Sequence, residues 1–275
     1  MTIPRLLIIA GSDSSGGAGI QADIKTASAF GVYAMTAITA VTAQNTTGVT
    51  AVAALPPAIV RQQIIACLSD IGADAIKTGM LANAAIVKVV ADTLREYAPG
   101  IPLVVDPVMV ATSGAALLQA AAEKQIIKRL IPMASLVTPN IPETKKLAGI
   151  ARSDHASLRK AAAAIRAMGA KAVLIKGGHG SKPTIDDLLL WERGEDIFGF
   201  PRLKTRHTHG TGCTLASAIA CGLAKGLPLS VAVGEARQYV QAAIAAAPGL
   251  GHGHGPLHHM VQWKGRPVPG SVLKP

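Results

Sequence analysis

With 275 residues, 49% of them apolar and 16% charged, the chain is long enough for one large core and lean enough in charge that many elements must be buried on more than one face. Its net charge of +11, from 27 basic and 16 acidic residues, is scattered along the chain, and aromatics make up only 3%, which argues against a base-stacking nucleic-acid surface and for small phosphate-bearing ligands. Apolar runs such as Leu6–Ala10 are too short to cross a bilayer, the start has no signal-peptide layout, and Cys67, Cys213 and Cys221 lack zinc-like spacing, so we expect a cytoplasmic protein without a disulfide framework.

In chain order, short apolar runs alternate with stretches of helical period, the pattern of βαβ units and a mostly parallel sheet flanked by helices. Strands are predicted at Leu6–Ala10, Ala34–Val41, Ala75–Thr78, Leu103–Asp106, Leu136–Thr138 and Ala172–Lys176. Between them, Pro56-Pro57 opens a helix carrying Ile59, Val60, Ile64 and Leu68, and Ala84–Tyr97 and Asp154–Met168 follow the same rule. Asp187–Trp191 and Asp196–Phe200 flank a Glu-Arg-Gly-Glu turn and predict a late β-hairpin. Two long helices are predicted next, from near Cys213 to Ala224 and from Leu229 to Ala246. The expected organisation is one domain over residues 1–263 and an extension over 264–275, irregular and disordered towards its end.

Two glycine-rich turns carry the chemistry. The first, Gly11 to Gly19, follows a strand and opens a helix, and it contains Gly17-x-Gly19-x-x-Ala22, a permitted dinucleotide-binding fingerprint. That fingerprint needs an acidic residue about 20 positions on, and no Asp or Glu occurs between Asp23 and Asp70. An NAD-linked dehydrogenase is thereby disfavoured, although the helix start still offers free amides to a polar ligand. No P-loop string occurs anywhere in the chain.

The second turn, Gly210-Thr211-Gly212-Cys213, leads into Leu215, Ala218, Ile219 and Leu223, spaced for one buried helical face. Free amides and the helix dipole make it an anion hole, and the same field is expected to lower the Cys213 thiol pKa. A capped helix start holding a small buried cysteine explains the string equally well. Asp106 and Lys176 end predicted strands, where open α/β sheets place ligands, and Asn140-x-x-Glu143 is both a common helix opening and a candidate polar pair.

The strings Ala10–Asp23, Ala43–Gly48, Lys77–Met80, Val105–Val108, Val137–Asn140 with Glu143, Ile175–His179, Thr208–Thr214 and Gly251–His259, in this order, closely resemble the hydroxymethylpyrimidine/phosphomethylpyrimidine kinases of the ribokinase-like superfamily. The cysteine after Gly-x-Gly, where that superfamily usually has Asp, sharpens the resemblance. It implies a ribokinase-like fold and two ATP-dependent steps in thiamine synthesis: an aminopyrimidine alcohol becomes its monophosphate, and this the diphosphate. It further implies Mg2+ and a homodimer.

By the same resemblance Gln44 reads the pyrimidine, its carboxamide accepting from the 4-amino group and donating to the ring nitrogen. Asp23, Gly11, Met80 and Val108 complete that pocket. Lys176, Asn140 and Asp106 face ATP, Asp106 and Glu143 the metal, and residues 210–213 the transferred phosphate, with Cys213 orienting and deprotonating the hydroxymethyl group. The tail histidines His252, His254, His258 and His259 are read as part of a segment closing over the nucleotide rather than as a metal site. Arg206-His207, where the family often has Lys-Asn, and the extension beyond Trp263 depart from the pattern. A pyridoxine/pyridoxal kinase on the same scaffold is the nearest alternative, and a non-catalytic nucleotide-binding regulator a more distant one.

Overall fold

The computed structural model describes residues 2–109, 120–179, 182–261 and 272–273. The chain opens with β1 (Arg5–Asp13), α1 (Gly19–Ala29), β2 (Tyr33–Gln44) and β3 (Val49–Ala54), then α2 (Pro57–Asp70), β4 (Ala75–Thr78), α3 (Ala84–Tyr97) and β5 (Leu103–Val105). It continues with α4 (Ala120–Gln125), β6 (Leu136–Val137), α5 (Ile141–Ala148), α6 (His155–Ala167) and β7 (Val173–Ile175). The hairpin β8 (Thr184–Trp191) and β9 (Gly194–Pro201) precedes α7 (Thr211–Ala224), α8 (Leu229–Ala245) and a short β10 (Val272–Leu273).

These strands form one sheet in the order β10-β9-β8-β7-β6-β5-β4-β1-β2-β3. The contacts from β2 through β1, β4, β5 and β6 to β7 are parallel, and β3, β8, β9 and β10 add antiparallel margins. Alternate side chains of β1 enter opposite cores: Leu7 and Ile9 join Val60, Ile64, Ile86 and Val90 of α2 and α3, while Leu6 and Ile8 join Ile20, Leu215, Ile219 and Val240 of α1, α7 and α8. A strand covered on both faces reads as a continuous apolar run, which is why Leu6–Ala10 does. The strand order reverses at β1, and the C-terminal ends of β1, β4, β5, β6 and β7 converge there, the usual ligand crevice of such sheets.

The predicted strands recur with shifted ends. β1 and β2 run three residues further, making Gln44 the last residue of β2, and β3 was not predicted. Val272 and Leu273 pair with Phe198 and Ile197, a strand in the extension expected to be disordered; the rest of residues 264–275 lies outside the described residues. No helix among the described residues is long and apolar enough to cross a membrane.

Candidate active site

A cavity of about 760 Å3 lies over the converging strand ends. Of the residues singled out from the sequence, Gly11, Gln44, Met80, Asp106, Val108, Asn140, Glu143, Lys176 and residues 210–213 all line it. Gly11 faces the Met80 side chain so closely that a Cβ there would stand 2.8 Å from Met80 Cε. Asp23 does not line the cavity. It is fully buried one layer behind, paired with the equally buried Lys77 at 2.8 Å and accepting a hydrogen bond from Ser217 at 2.6 Å.

The α7 end of the cavity is built by close backbone approach. Gly210 caps the helix in the left-handed conformation (φ 80°), and any side chain there would collide with the Gly17 carbonyl, so the two glycine-rich turns pack directly on each other. The Thr211 and Thr214 amides bond to the Thr208 and Gly210 carbonyls, while those of Gly212 and Cys213 have no partner among the described residues. Gly212 leaves its neighbourhood open: a Cβ would come within 3.3 Å of Lys176 Nζ and 3.9 Å of Asp106 Oδ2. Free amides, helix dipole and a neighbouring ammonium are together an arrangement that suits an anion.

Lys176 Nζ donates to Asp106 Oδ1 at 2.8 Å, and Thr138 donates to the same oxygen at 3.0 Å. Burial opposes the Lys176 charge, but Asp106 and Glu143 outweigh it and raise the lysine pKa. Asn140 and Glu143 form a capping box at the start of α5, each side chain bonding the other's backbone N–H at 2.8 Å. Burial raises the Glu143 carboxyl pKa, with Lys176 opposing and Asp106 reinforcing. The helix-opening reading of Asn-x-x-Glu holds, and that opening faces the cavity.

One expectation is corrected. The Cys213 thiol is not activated: desolvation pushes its pKa up to about 11, Lys77 and the Gly19 N–H oppose, and Asp23 and Asp106 add to the rise. Ahead of α1 the chain bonds to itself, since Asp13 accepts from Gly17 N–H at 3.2 Å and Ala18 N–H at 2.8 Å, both before the first helical residue, Gly19.

Asp13, Thr42, His209 and the buried Asp187–Arg237 pair also line the cavity, and no motif singles them out. Asp13 and His209 lie 196 positions apart, and spacing gives no hint that they touch at 2.8 Å. The tail packs on the Gln44 side: His254 N–H and Gly253 N–H bond Thr46, and the Gly255 carbonyl accepts from His209 N–H.

Unpaired amides beside Lys176, in one cavity with Gln44 and Met80 at the switch point of such a sheet, suit a small-molecule kinase on a ribokinase-like scaffold. Comparison with known proteins names the branch. The phosphomethylpyrimidine kinase family profile matches residues 13–258. A hydroxymethylpyrimidine/phosphomethylpyrimidine kinase of Streptomyces coelicolor is 49% identical, over 94% of this chain and 95% of its own. The crystal structure of a phosphomethylpyrimidine kinase from Clostridium difficile superposes with a TM-score of 0.78 at 42% identity, covering 88% of this chain and all of that one. Bacillus subtilis pyridoxal kinase, solved as an ADP complex, superposes with a TM-score of 0.86 at 34% identity, covering 94% and 98%. The chain belongs to the phosphomethylpyrimidine kinase family, and it is an ATP-dependent kinase.

Proposed function

We propose that the chain phosphorylates 4-amino-5-hydroxymethyl-2-methylpyrimidine to its monophosphate and the monophosphate to the diphosphate, supplying thiamine synthesis. The observation that carries this is the single cavity holding Gln44, Gly11 and Met80 together with Lys176, Asp106 and the free amides of α7. The carboxamide reads the amino group and the adjacent ring nitrogen, Met80 and Val108 form the apolar wall, and the hydroxymethyl group faces the anion site. Asp23 serves this pocket from behind, through Lys77 and Ser217.

Phosphoryl transfer asks chiefly for positioning and charge neutralisation. Lys176 and the Gly212 and Cys213 amides meet the charge of the transferred group, and Asn140 holds the Glu143 end of the site in place. Asp106 and Glu143 fit magnesium, which typically takes one or two carboxylates and completes its shell with waters and phosphates. They would hold the ion, and it would supply further neutralisation of phosphate charge. Cys213, a thiol at neutral pH, orients the hydroxymethyl oxygen; the alcohol proton leaves late, to a phosphoryl oxygen or water. In the second step the acceptor is already anionic, so Cys213 matters less.

Two copies would associate through β3, whose outer edge is unpaired among the described residues and whose neighbourhood exposes Val41 (47%) and Val52 (48%). ATP as co-substrate and three unpaired cysteines suit the cytoplasm. The test is formation of mono- and diphosphate from ATP and the free alcohol, run beside pyridoxal. Faster turnover of pyridoxal would favour the vitamin-aldehyde kinase reading and refute this one.

A further inference from the structure

Asp13, at the end of β1, is 2% exposed, and donors surround it: Ser15 N–H and Ser15 Oγ–H at 2.8 Å on one oxygen, Gly17 N–H and Ala18 N–H on the other. Burial alone would raise its carboxyl pKa, but the bonds from His209, Ser15 and Ala18 outweigh burial and hold it at about 2. An ionised carboxylate only accepts. His209 Nε2, 2.8 Å from Asp13 Oδ2, therefore carries a hydrogen whether the ring is neutral or charged.

That hydrogen decides the orientation of Gln44. In the structure Gln44 Nε2 lies 3.3 Å from the same His209 nitrogen and Gln44 Oε1 lies 3.3 Å from Thr42 Oγ1. An NH2 group cannot face an N–H, and amide oxygen and nitrogen are told apart only by their hydrogen-bond network, so the carboxamide is to be turned over: its oxygen faces His209. The NH2 then takes the other end, beside Thr42 Oγ1. Thr42 accepts there because its own hydrogen goes to the Ser12 carbonyl at 2.9 Å. The directed chain thus runs from Gln44 NH2 through the Thr42 hydroxyl to the Ser12 carbonyl, and from His209 N–H to both the Asp13 carboxylate and the Gln44 carbonyl.

We infer that His209 is a positioning residue which, anchored by Asp13, sets the facing of the Gln44 carboxamide and so selects rings with an exocyclic donor beside a ring-nitrogen acceptor. The inference rests on the reading of Gln44 as the ring-contacting residue. One lone pair and one N–H of Gln44 remain for the substrate, in a fixed order. A 4-amino ring edge matches that order. The 4-oxo analogue, a lactam with exocyclic acceptor and ring N–H, meets oxygen with oxygen and N–H with N–H. Gln44 can turn to suit it only by facing its NH2 against the His209 N–H.

The experiment compares kcat/KM for the amino alcohol and its 4-oxo analogue, or the inhibition constant of the latter where its turnover is too slow, in the wild type and in Gln44→Ala, His209→Leu, His209→Asn and His209→Gln. Circular dichroism and thermal melting check each fold. Loss of the directing N–H in His209→Leu and His209→Asn lowers the amino-to-oxo ratio about tenfold or more, the scale of one buried polar mismatch. His209→Gln, whose amide N–H reaches the position of Nε2, keeps the ratio within about threefold. A purely structural role would slow both substrates alike and leave the ratio unchanged. If His209→Leu fails to fold, His209→Asn decides. An unchanged ratio in a folded Leu or Asn variant while Gln44→Ala collapses it overturns the role of His209 and spares that of Gln44, as does equal loss in His209→Gln. An unchanged ratio in Gln44→Ala overturns both.

Discussion

Site-resolved alkylation of Cys213 tests how the anion site treats a sulfur atom. Only the thiolate reacts. With the pKa at about 11 instead of the ordinary 9.0, the thiolate fraction at pH 8 is about 0.001 rather than about 0.1, a hundredfold deficit. Thiolates of higher pKa are better nucleophiles, by about tenfold over such a span, so the absolute rate understates the shift. The shape of the profile does not. We expect the logarithm of the iodoacetamide rate at Cys213, followed by peptide mass spectrometry, to climb about one unit per pH unit from 7 to 9.5 without levelling, as a thiol titrating well above that range requires. A plateau beginning at or below pH 8 would refute the desolvation argument and restore the activated thiolate expected from the helix dipole. In the same terms, Cys213→Ala should slow phosphorylation of the alcohol more than that of the monophosphate, and equal loss in both steps would count against the positioning role.

Three further outcomes follow from the geometry. Lys77→Met strands the buried Asp23 carboxylate and should cost about 3–5 kcal/mol in urea unfolding, with the double variant Lys77→Met/Asp23→Leu recovering much of it; a single-variant loss under about 1 kcal/mol would show that the pair relaxes. Gly212→Ala puts a methyl group 3.3 Å from Lys176 Nζ without straining the backbone, so kcat should fall while the thermal midpoint holds, and a parallel fall in both would refute the reading of Gly212 as ligand space. Asp13 has a folded-state pKa below its unfolded one, so its contribution is present above about pH 4 and lost as pH falls towards 2. The shift from 3.8 to about 2 corresponds to about 2 kcal/mol, and the acid-unfolding curve of Asp13→Ala should be flatter than the wild type over that window.

The sheet was legible because its central strands are buried on both faces and therefore spell short apolar runs, and Ala75–Thr78 was read to the residue. β3 escaped because Val49–Ala54 is mostly exposed and shows no alternation of apolar and polar residues; pairing with β2 alone makes it a strand. Strand ends are read short at β1 and β2, which Asp13 and Gln44 close, and long at β5 and β7, where Asp106 and Lys176 lie one residue beyond the strand. Motifs located the turns, but neither the contact of Asp13 with His209 nor the burial of Asp23 with Lys77 has a local signature. Both are contacts between distant segments made by the fold.

The two glycine-rich turns looked alike in sequence, each a strand or loop opening a helix with free amides, and the structure gives them opposite uses. Ahead of α1 the chain supplies its own anion, Asp13, which takes the loop amides of Ser15, Gly17 and Ala18. At α7 no side chain plays that part among the described residues: Gly210 is forced by the Gly17 carbonyl, Gly212 leaves space beside Lys176, and the Gly212 and Cys213 amides have no partner there. The first loop therefore closes on its own carboxylate, whereas the second keeps amides and room that suit an anion. His209 stands between them, one residue before Gly210 and bonded to Asp13, so the closed loop serves as an anchor for both the turn before α7 and Gln44.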